Sequence, residues 1–444
     1  ICTDMEHFED GIDQSVVSLS HDADVMVYDS AYTEEEYAEF KGWGHSTWQE
    51  AVRVAETANV KQTFLFHHDP SHDDAKMDAI AEEVAKIRLG VRPAIEGEEI
   101  ESGHINTTYL AAYLSDDGEV NRYILQRINE NVFPEPLVVM KNIERVTRHI
   151  NRKVFRHKRD FGGQTLNLYP GRDGKNCVEG ASGGIWRCYN CIEGCCTYDV
   201  VENTRQAYQA AKAFGAFQDL VSDLPVEKVS VTIPGFHDTP ARYARLMDAI
   251  AKDSHRRVDR VQDEIDFITS REGITAVLLD HLKAGRLVER VTHNDTKLNN
   301  VMIDAQTDEA VCVIDLDTVM PGLALYDFGD LIRGATSPVS EDEKDVSKVE
   351  MRLPMFEAIV EGYLETAKNF LTPLEIELLP FSAKLITMET GIRFLTDHLE
   401  GDKYFKIHRE GHNLDRCRTQ LALVKSIEDQ EAQMNDFVAK WNRA

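Results

Sequence analysis

The stretch VTHNDTKLNNVMID, followed after a turn by VCVIDLDTVMPGLALYDFGD, constrains this chain more than any other part of it. It contains H-x-D-x-x-x-x-N and then an apolar strand ending in I-D-x-D, set among segments of helical spacing. These are the parts that moving a phosphoryl group requires. One carboxylate accepts the proton of an acceptor hydroxyl, while an amide and a second carboxylate hold Mg²⁺ on the nucleotide phosphates. Asp295 is the candidate base, and Asn300 and Asp315 are the candidate metal ligands, with Asp317 a possible further one. Mg²⁺ takes hard oxygen ligands in such a partial shell. Asp and Asn are common in turns, where they bond nearby backbone, so the reading rests on their joint order around two short strands. His293 is expected to brace the loop, and Asp327 to cap or brace it.

The pattern changes twice along the 444 residues. Residues 1–95 alternate short apolar strands (DVMVYD, TFLFHH) with amphipathic helices (STWQEAVRVAETA, DDAKMDAIAEEVAKI), an α/β pattern. From 96 to 200, EEIESGHINTTYLAAYL, RYILQRI, TLNLYP and IWRCYNCIEG read as strands joined by Gly/Asp turns, with one helix at LVVMKNIERVTRHINRKV. Residues 201–444 are mostly helical, broken by the strands VMIDA and AVCVIDLDT. The expected fold is α+β and two-lobed, with a β-rich small lobe and a helical large lobe, preceded by a partial α/β segment.

Within the second stretch, Gly103 in EIESGHINTTY followed by RYILQRIN reads as a phosphate-covering loop and the next strand. Its position ahead of the helical lobe gives this weight, because nucleotides of this class bind between such lobes.

Acidic residues outnumber basic ones 77 to 49, for a formal charge of −28, and no Lys/Arg-rich block interrupts the excess. Nucleic acid and anionic membranes call for clustered cations, so neither is an expected partner. No stretch approaches the roughly 20 apolar residues of a membrane span, and ICTDMEHFED lacks the basic and apolar regions of a signal peptide. A cytoplasmic enzyme, monomeric or weakly dimeric, is expected, and the opening Ile suggests a truncated or processed product. Five of the eight cysteines fall between Cys177 and Cys196 with one C-x-x-C. Zinc knuckles usually come as a pair, so free thiols flanking a strand and turn are the expectation.

GHINTTY, YILQRINENVF, HNDTKLNNVMID, VIDLDTVMPGLALYDFGD, ITMETGIRFLTDHLEGDKYF and IHREGHNLDRCRTQ together give residues from about 100 to 444 a specific likeness. This region resembles the N-acetylhexosamine 1-kinases, within the aminoglycoside phosphotransferase and choline kinase superfamily. The resemblance implies a protein-kinase-like fold, ATP and Mg²⁺ as cofactors, and transfer of the γ-phosphoryl group to the anomeric hydroxyl of N-acetylglucosamine or N-acetylgalactosamine. It implies Asp295 as base, Asn300 and Asp315 on Mg²⁺, and sugar contacts from His104, Arg393 and Tyr404. Where many kinases place a Lys, Gln126 stands, so phosphate charge is met elsewhere, by Arg127 or by metal. A kinase for another small alcohol, such as choline, homoserine or an aminoglycoside, is the alternative. Cationic acceptors call for acidic, aromatic-lined pockets, and neutral sugars for hydrogen-bonding side chains.

The opening segment, through TDMEH, YDSAYTEEEY, GWGHSTWQEA and FLFHHDPSHDD, resembles the C-terminal half of a metallo-β-lactamase-fold hydrolase. That resemblance implies Asp4 bridging two metals, His67 binding one and His45 near the reacting ester. The H-x-H-x-D-H cluster of such a site is absent, so residues 1–95 are expected to be an inactive, vestigial site. A metal-dependent hydrolase fragment beside a dead kinase region is the remaining alternative.

Overall fold

The computed structural model describes residues 6, 11–23, 25–88, 90–93, 106–114, 120–157, 165–180, 183–198 and 200–442. The chain folds into two compact units, Ile1–Asn129 with Glu179–Cys191, and Glu130–Val178 with Ile192–Ala444.

The first unit opens with α1 (Gln14–Ser20), β1 (Val25–Asp29), α2 (Glu34–Phe40), α3 (Trp48–Thr57), β2 (Gln62–Phe66), α4 (Asp74–Ile87) and β3 (Val91–Pro93). Because helices separate the strands, the strands can run parallel, and they do so in the order β1-β2-β3, with Asp29 opposite Phe66. Each start of the longer helices is marked in the sequence: Thr47 caps α3, Asp73 caps α4, and Thr33 with Glu36 forms a capping box on α2. Tyr28, Val54, Leu65 and Val84 are buried in the core between sheet and helices. The expected α/β alternation is what the segment adopts.

The same unit holds an antiparallel sheet of β4 (Thr107–Leu114), β5 (Val120–Arg127), the two-residue β6 (Val178–Glu179) and β7 (Ile185–Asn190), in the order β4-β5-β7-β6. TLNLYP, expected as a strand, forms no ladder beyond a bridge at Leu168. Its polar side chains bond locally instead: Thr165 Oγ1 to Asn151 Oδ1, and Asn151 Nδ2 to Asn167 Oδ1, each within 2.7 Å.

The second unit carries α5 (Pro136–His157), β8 (Cys195–Cys196), α6 (Thr204–Val221), α7 (Thr239–Lys252), α8 (Gln262–Thr269), α9 (Val277–Lys283) and β9 (Arg290–Thr292). It continues through β10 (Val301–Asp304), β11 (Ala310–Val313), β12 (Met320–Gly322), α10 (Ala324–Ala335), α11 (Leu353–Ala367), α12 (Pro373–Glu377), α13 (Leu379–Leu399) and α14 (His412–Ala439). Helices α6 and α11 approach closely because glycine stands on both: a Cβ on Gly215 would strike the carbonyl of Tyr363, and one on Gly362 that of Tyr208. Small residues Ala207, Ala210 and Ala211 of α6 are fully buried. Strands β10 and β11 are the expected VMIDA and AVCVIDLDT, and β8 completes their sheet. The pair β9–β12, three residues each, was not visible in the sequence because Met-Pro-Gly carries no strand pattern. No helix among the described residues is long and apolar enough to cross a membrane.

Candidate functional site

Strand β9 delivers the chain into the loop His293–Asn300, and the start of α10 holds that loop in place. Asp327 accepts hydrogen bonds from the backbone N–H groups of His293 at 2.9 Å and Asn294 at 2.7 Å, and from the Gln218 amide. One turn later Asp330 accepts from the Thr296 N–H at 3.0 Å. Asn294 adopts a left-handed conformation, φ 65°, and its side chain donates to the carbonyl of Thr318 and accepts from the Thr292 hydroxyl, both at 3.0 Å. His293 is fully buried, its Nε2 is 2.9 Å from the Ile314 carbonyl, and its ring packs edge-on against Phe214 and Phe217. This is the bracing role its position suggested, as it is for Asp327.

Gly322 of β12 lies hard against this loop, where an added Cβ would collide with Thr292 Oγ1 and sit 2.8 Å from Asn294 Oδ1. Gly322→Ala is expected to cost about 1–3 kcal/mol through overpacking. A melting experiment beside an activity assay should show both falling together, and an unaltered loop and rate would contradict the close approach.

Asp295, Asn300 and Asp315 come together through the hairpin. Asn300 Nδ2 donates to the Asp295 carbonyl at 2.8 Å and lies 3.3 Å from its Oδ2, which commits the amide nitrogen and leaves Oδ1 as the atom for a cation. Val301 pairs with Val313, and the Ile314 N–H donates to the Asn300 carbonyl at 2.9 Å. Asp315 therefore stands one residue past Asn300's partner. Its backbone is left-handed, φ 57° and ψ 62°, where a non-glycine residue is strained. The 3₁₀ turn that follows, Leu316–Thr318, buries Asp317.

Lys297 and Arg333, which the sequence did not single out, balance this acidic group. Lys297 Nζ lies 2.9 Å from Asp295 Oδ1. Burial alone would lower the Lys297 pKa, but Asp295 outweighs it and the net direction is up. Asp330 is held below the usual carboxylate range, because Arg333 at 2.8 Å and Lys297 outweigh the burial that would raise it. Lys297 was findable as a cation two residues from the candidate base. Arg333 had no signal, because its partner Asp330 is recognisable only once α10 is formed.

Arg393 and Tyr404 are also brought together. The Arg393 guanidinium lies 5.9 Å from the Tyr404 ring, 5.3 Å from Phe405 and 5.6 Å from Phe236. Asp397 fixes that loop by accepting from the N–H groups of Lys403, Tyr404 and Phe405 within 3.0 Å. One turn before Arg393, the buried Glu389 bonds His237 Nδ1 at 2.9 Å and Thr239 Oγ1 at 2.5 Å. Burial would raise the Glu389 pKa, but His237 and Thr239 hold it down. His237 Nε2 is buried with no hydrogen-bond partner among the described residues, and its ring lies 4.7 Å from Tyr326, the neighbour of Asp327. The His237–Glu389 pair was missed because 152 residues separate its members.

In the small sheet, Gln126 donates to Thr108 Oγ1 at 3.0 Å and accepts from Arg187 Nε and Nη2 at 3.0 and 2.8 Å. Arg187 stands opposite Gln126 in register and is 2 % exposed, so its guanidinium is buried against the Gln126 oxygen. Arg127, the next residue along β5, lies on the other face. Gly103 and His104 lie outside the described residues, as does Asp4. In the N-terminal segment His45 and His67 meet at Asp29, a residue the sequence did not distinguish from an ordinary strand end.

A crystallised aminoglycoside phosphotransferase from Alicyclobacillus acidocaldarius superposes with a TM-score of 0.52 at 12% identity, over 80% of this chain and 100% of that one. At that identity the likeness shows the fold: an α+β chain with a smaller strand-containing lobe and a larger helical lobe. Among curated proteins, ribonuclease Z of Brevibacillus brevis is 30% identical over 83 residues, 19% of this chain and 26% of that protein. Ribonuclease Z of Haloferax volcanii is 43% identical over 53 residues, 12% and 17% of the two chains. The chain thus spans about a quarter or less of these relatives. The model of the phosphotransferase enzyme family matches residues 96–346, more than half of the chain and the whole of the braced loop, and the chain belongs to that family.

Proposed function

We propose that this chain transfers the γ-phosphoryl group of ATP to a hydroxyl of a small-molecule acceptor. The observation that carries the proposal is the Asp295 carboxylate, 17 % exposed, held by Lys297 at the end of a braced loop and joined through Asn300 to the Asp315 turn. Asp295 takes the proton of the attacking hydroxyl. The donor set of Asn300 Oδ1 with the carboxylates of Asp315 and Asp317 consists of hard oxygens and fits Mg²⁺. When bound with the nucleotide, that ion supplies charge neutralisation on the phosphates. Lys297 Nζ, 2.9 Å from Oδ1, orients the Asp295 carboxylate. Gly103, Gln126 and Arg127 are the proposed nucleotide contacts, and Arg187 fixes the Gln126 side chain.

Family membership supports a small alcohol as the acceptor class, which includes choline, homoserine and aminoglycosides. Within that class we favour N-acetylglucosamine or N-acetylgalactosamine, phosphorylated at the anomeric hydroxyl, with His104, Arg393 and Tyr404 as contacts. The three rings near Arg393 are already turned to a cation of the chain itself. They are therefore poorly placed to cage a cationic acceptor, and the guanidinium suits hydroxyl and carbonyl oxygens.

The purified chain, ATP and Mg²⁺ should be incubated with the two N-acetylhexosamines, choline, homoserine and an aminoglycoside, and products identified by mass and NMR. A hexosamine 1-phosphate is the expected product. Turnover of another acceptor alone would keep the kinase reading and remove the sugar. No turnover of any acceptor by a chain that binds ATP would remove both.

A further inference from the structure

We propose that Asp29, His45 and His67 form a mononuclear site for a Zn²⁺-class divalent cation within the N-terminal segment. One ligand atom from each residue lies within 4.8 Å of the other two. His45 Nδ1 is 2.9 Å and His67 Nδ1 3.4 Å from Asp29 Oδ2, and the two rings meet edge-to-face at 4.4 Å.

The backbone builds this convergence. Asp29 ends β1 and is fully buried; its Oδ1 accepts from the N–H groups of Ser46 at 3.1 Å and Ala31 at 3.4 Å. Those bonds orient the carboxylate and turn Oδ2 towards the imidazoles, the kind of outer support that positions metal ligands. Asp29 pairs with Phe66 across the sheet, so His67 is the first residue beyond that pair. There the chain takes a left-handed step, φ 65°, which a histidine adopts at a cost on the order of 1 kcal/mol. His45 arrives from the turn containing Gly42 and Gly44, just ahead of Thr47, the cap of α3.

Two imidazole nitrogens and one carboxylate oxygen make a three-ligand set that leaves a coordination position open to water. The histidine side chains are 23 % and 41 % exposed, so the ion has a path in. This differs from the two-metal arrangement implied by the hydrolase resemblance, in which Asp4 bridges and His45 faces the substrate. It requires no hydrolysis and no kinase activity.

The test uses the full chain, stripped with a chelator and titrated with Co²⁺ while the visible d–d absorption is recorded; Zn²⁺ stoichiometry is then measured by elemental analysis after gel filtration. One equivalent per chain is expected, with the absorption of a four- or five-coordinate ion. His67→Gly removes a ligand at a φ that glycine accepts readily, and should weaken binding by at least about tenfold. Asp29→Asn should do the same, and Asp295→Asn should leave the cobalt site unchanged. A wild-type chain that takes up no cobalt, or a His67→Gly chain that binds as tightly as wild type, would overturn the proposal and leave a hydrogen-bonded His–Asp pair.

Discussion

Asp295→Asn should fold, bind nucleotide and transfer phosphoryl groups about 10²–10⁴-fold more slowly than wild type. The amide is the same size as the carboxylate and keeps an oxygen for Lys297, while Asn300 still donates to the backbone carbonyl of residue 295, so the loop has little reason to move. What it lacks is basicity. A hydroxyl attacking phosphorus must give up its proton, and Asp295 is the acidic group that the loop, Lys297 and Asn300 jointly position. Losing the ion pair itself should cost little stability, under about 1 kcal/mol, because Lys297 is 47 % exposed and water can solvate its charge. The defect should fall on kcat, with the nucleotide dissociation constant close to wild type. A variant with kcat within tenfold of wild type would show that the acceptor proton leaves by another route. Loss of nucleotide binding as well would place Asp295 on the metal instead.

The loop was legible because its chemistry is local. Asp295 and Asn300 are five residues apart, and Asp315 follows just past the next strand, so residue type and order were enough to place them on one loop and its adjoining hairpin. Asp327 was legible as a brace for the same reason, an acid in the short run after that strand. What could not be read were partners that only folding brings together. Gln218 reaches Asp327 across 109 residues, Arg187 reaches Gln126 across 61, and Glu389 reaches His237 across 152. None of these has a local pattern. TLNLYP failed differently: its alternation is that of a strand, but the Asn167 side chain donates to the Thr165 carbonyl at 2.9 Å, a local bond that competes with a ladder. In the N-terminal segment the histidines stood out in the sequence, while the buried aspartate between them did not, because an acid at a strand end is ordinary until its burial is known.

Asp327→Ala should be the most disruptive single change in the helical unit. It leaves the N–H groups of His293 and Asn294 and the Gln218 amide buried without their acceptor. A buried donor left without its acceptor costs about 1–3 kcal/mol. Tyr363 donates to Gln218 at 2.7 Å, so the damage extends towards α11. Burial pushes the Asp327 carboxyl above the usual range even though three donors face it. A carboxyl pKa higher folded than unfolded makes the charged form a cost to the fold. The contribution of this group therefore worsens as pH rises from the unfolded value near 4 through the raised folded value. Asp327 is then retained for the position it gives the loop rather than for net stability at neutral pH. Asp327→Asn offers one oxygen and turns an NH₂ towards one of the same donors. It should be intermediate in stability, with the deficit widening as pH falls, because the wild-type chain alone regains the stability that ionising Asp327 costs it at higher pH. Denaturant unfolding from pH 4 to 8, with hydrogen exchange read at His293 and Asn294, would follow both effects. Slow exchange at those two amides in Asp327→Ala would mean that something other than this carboxylate holds the His293–Asn300 loop.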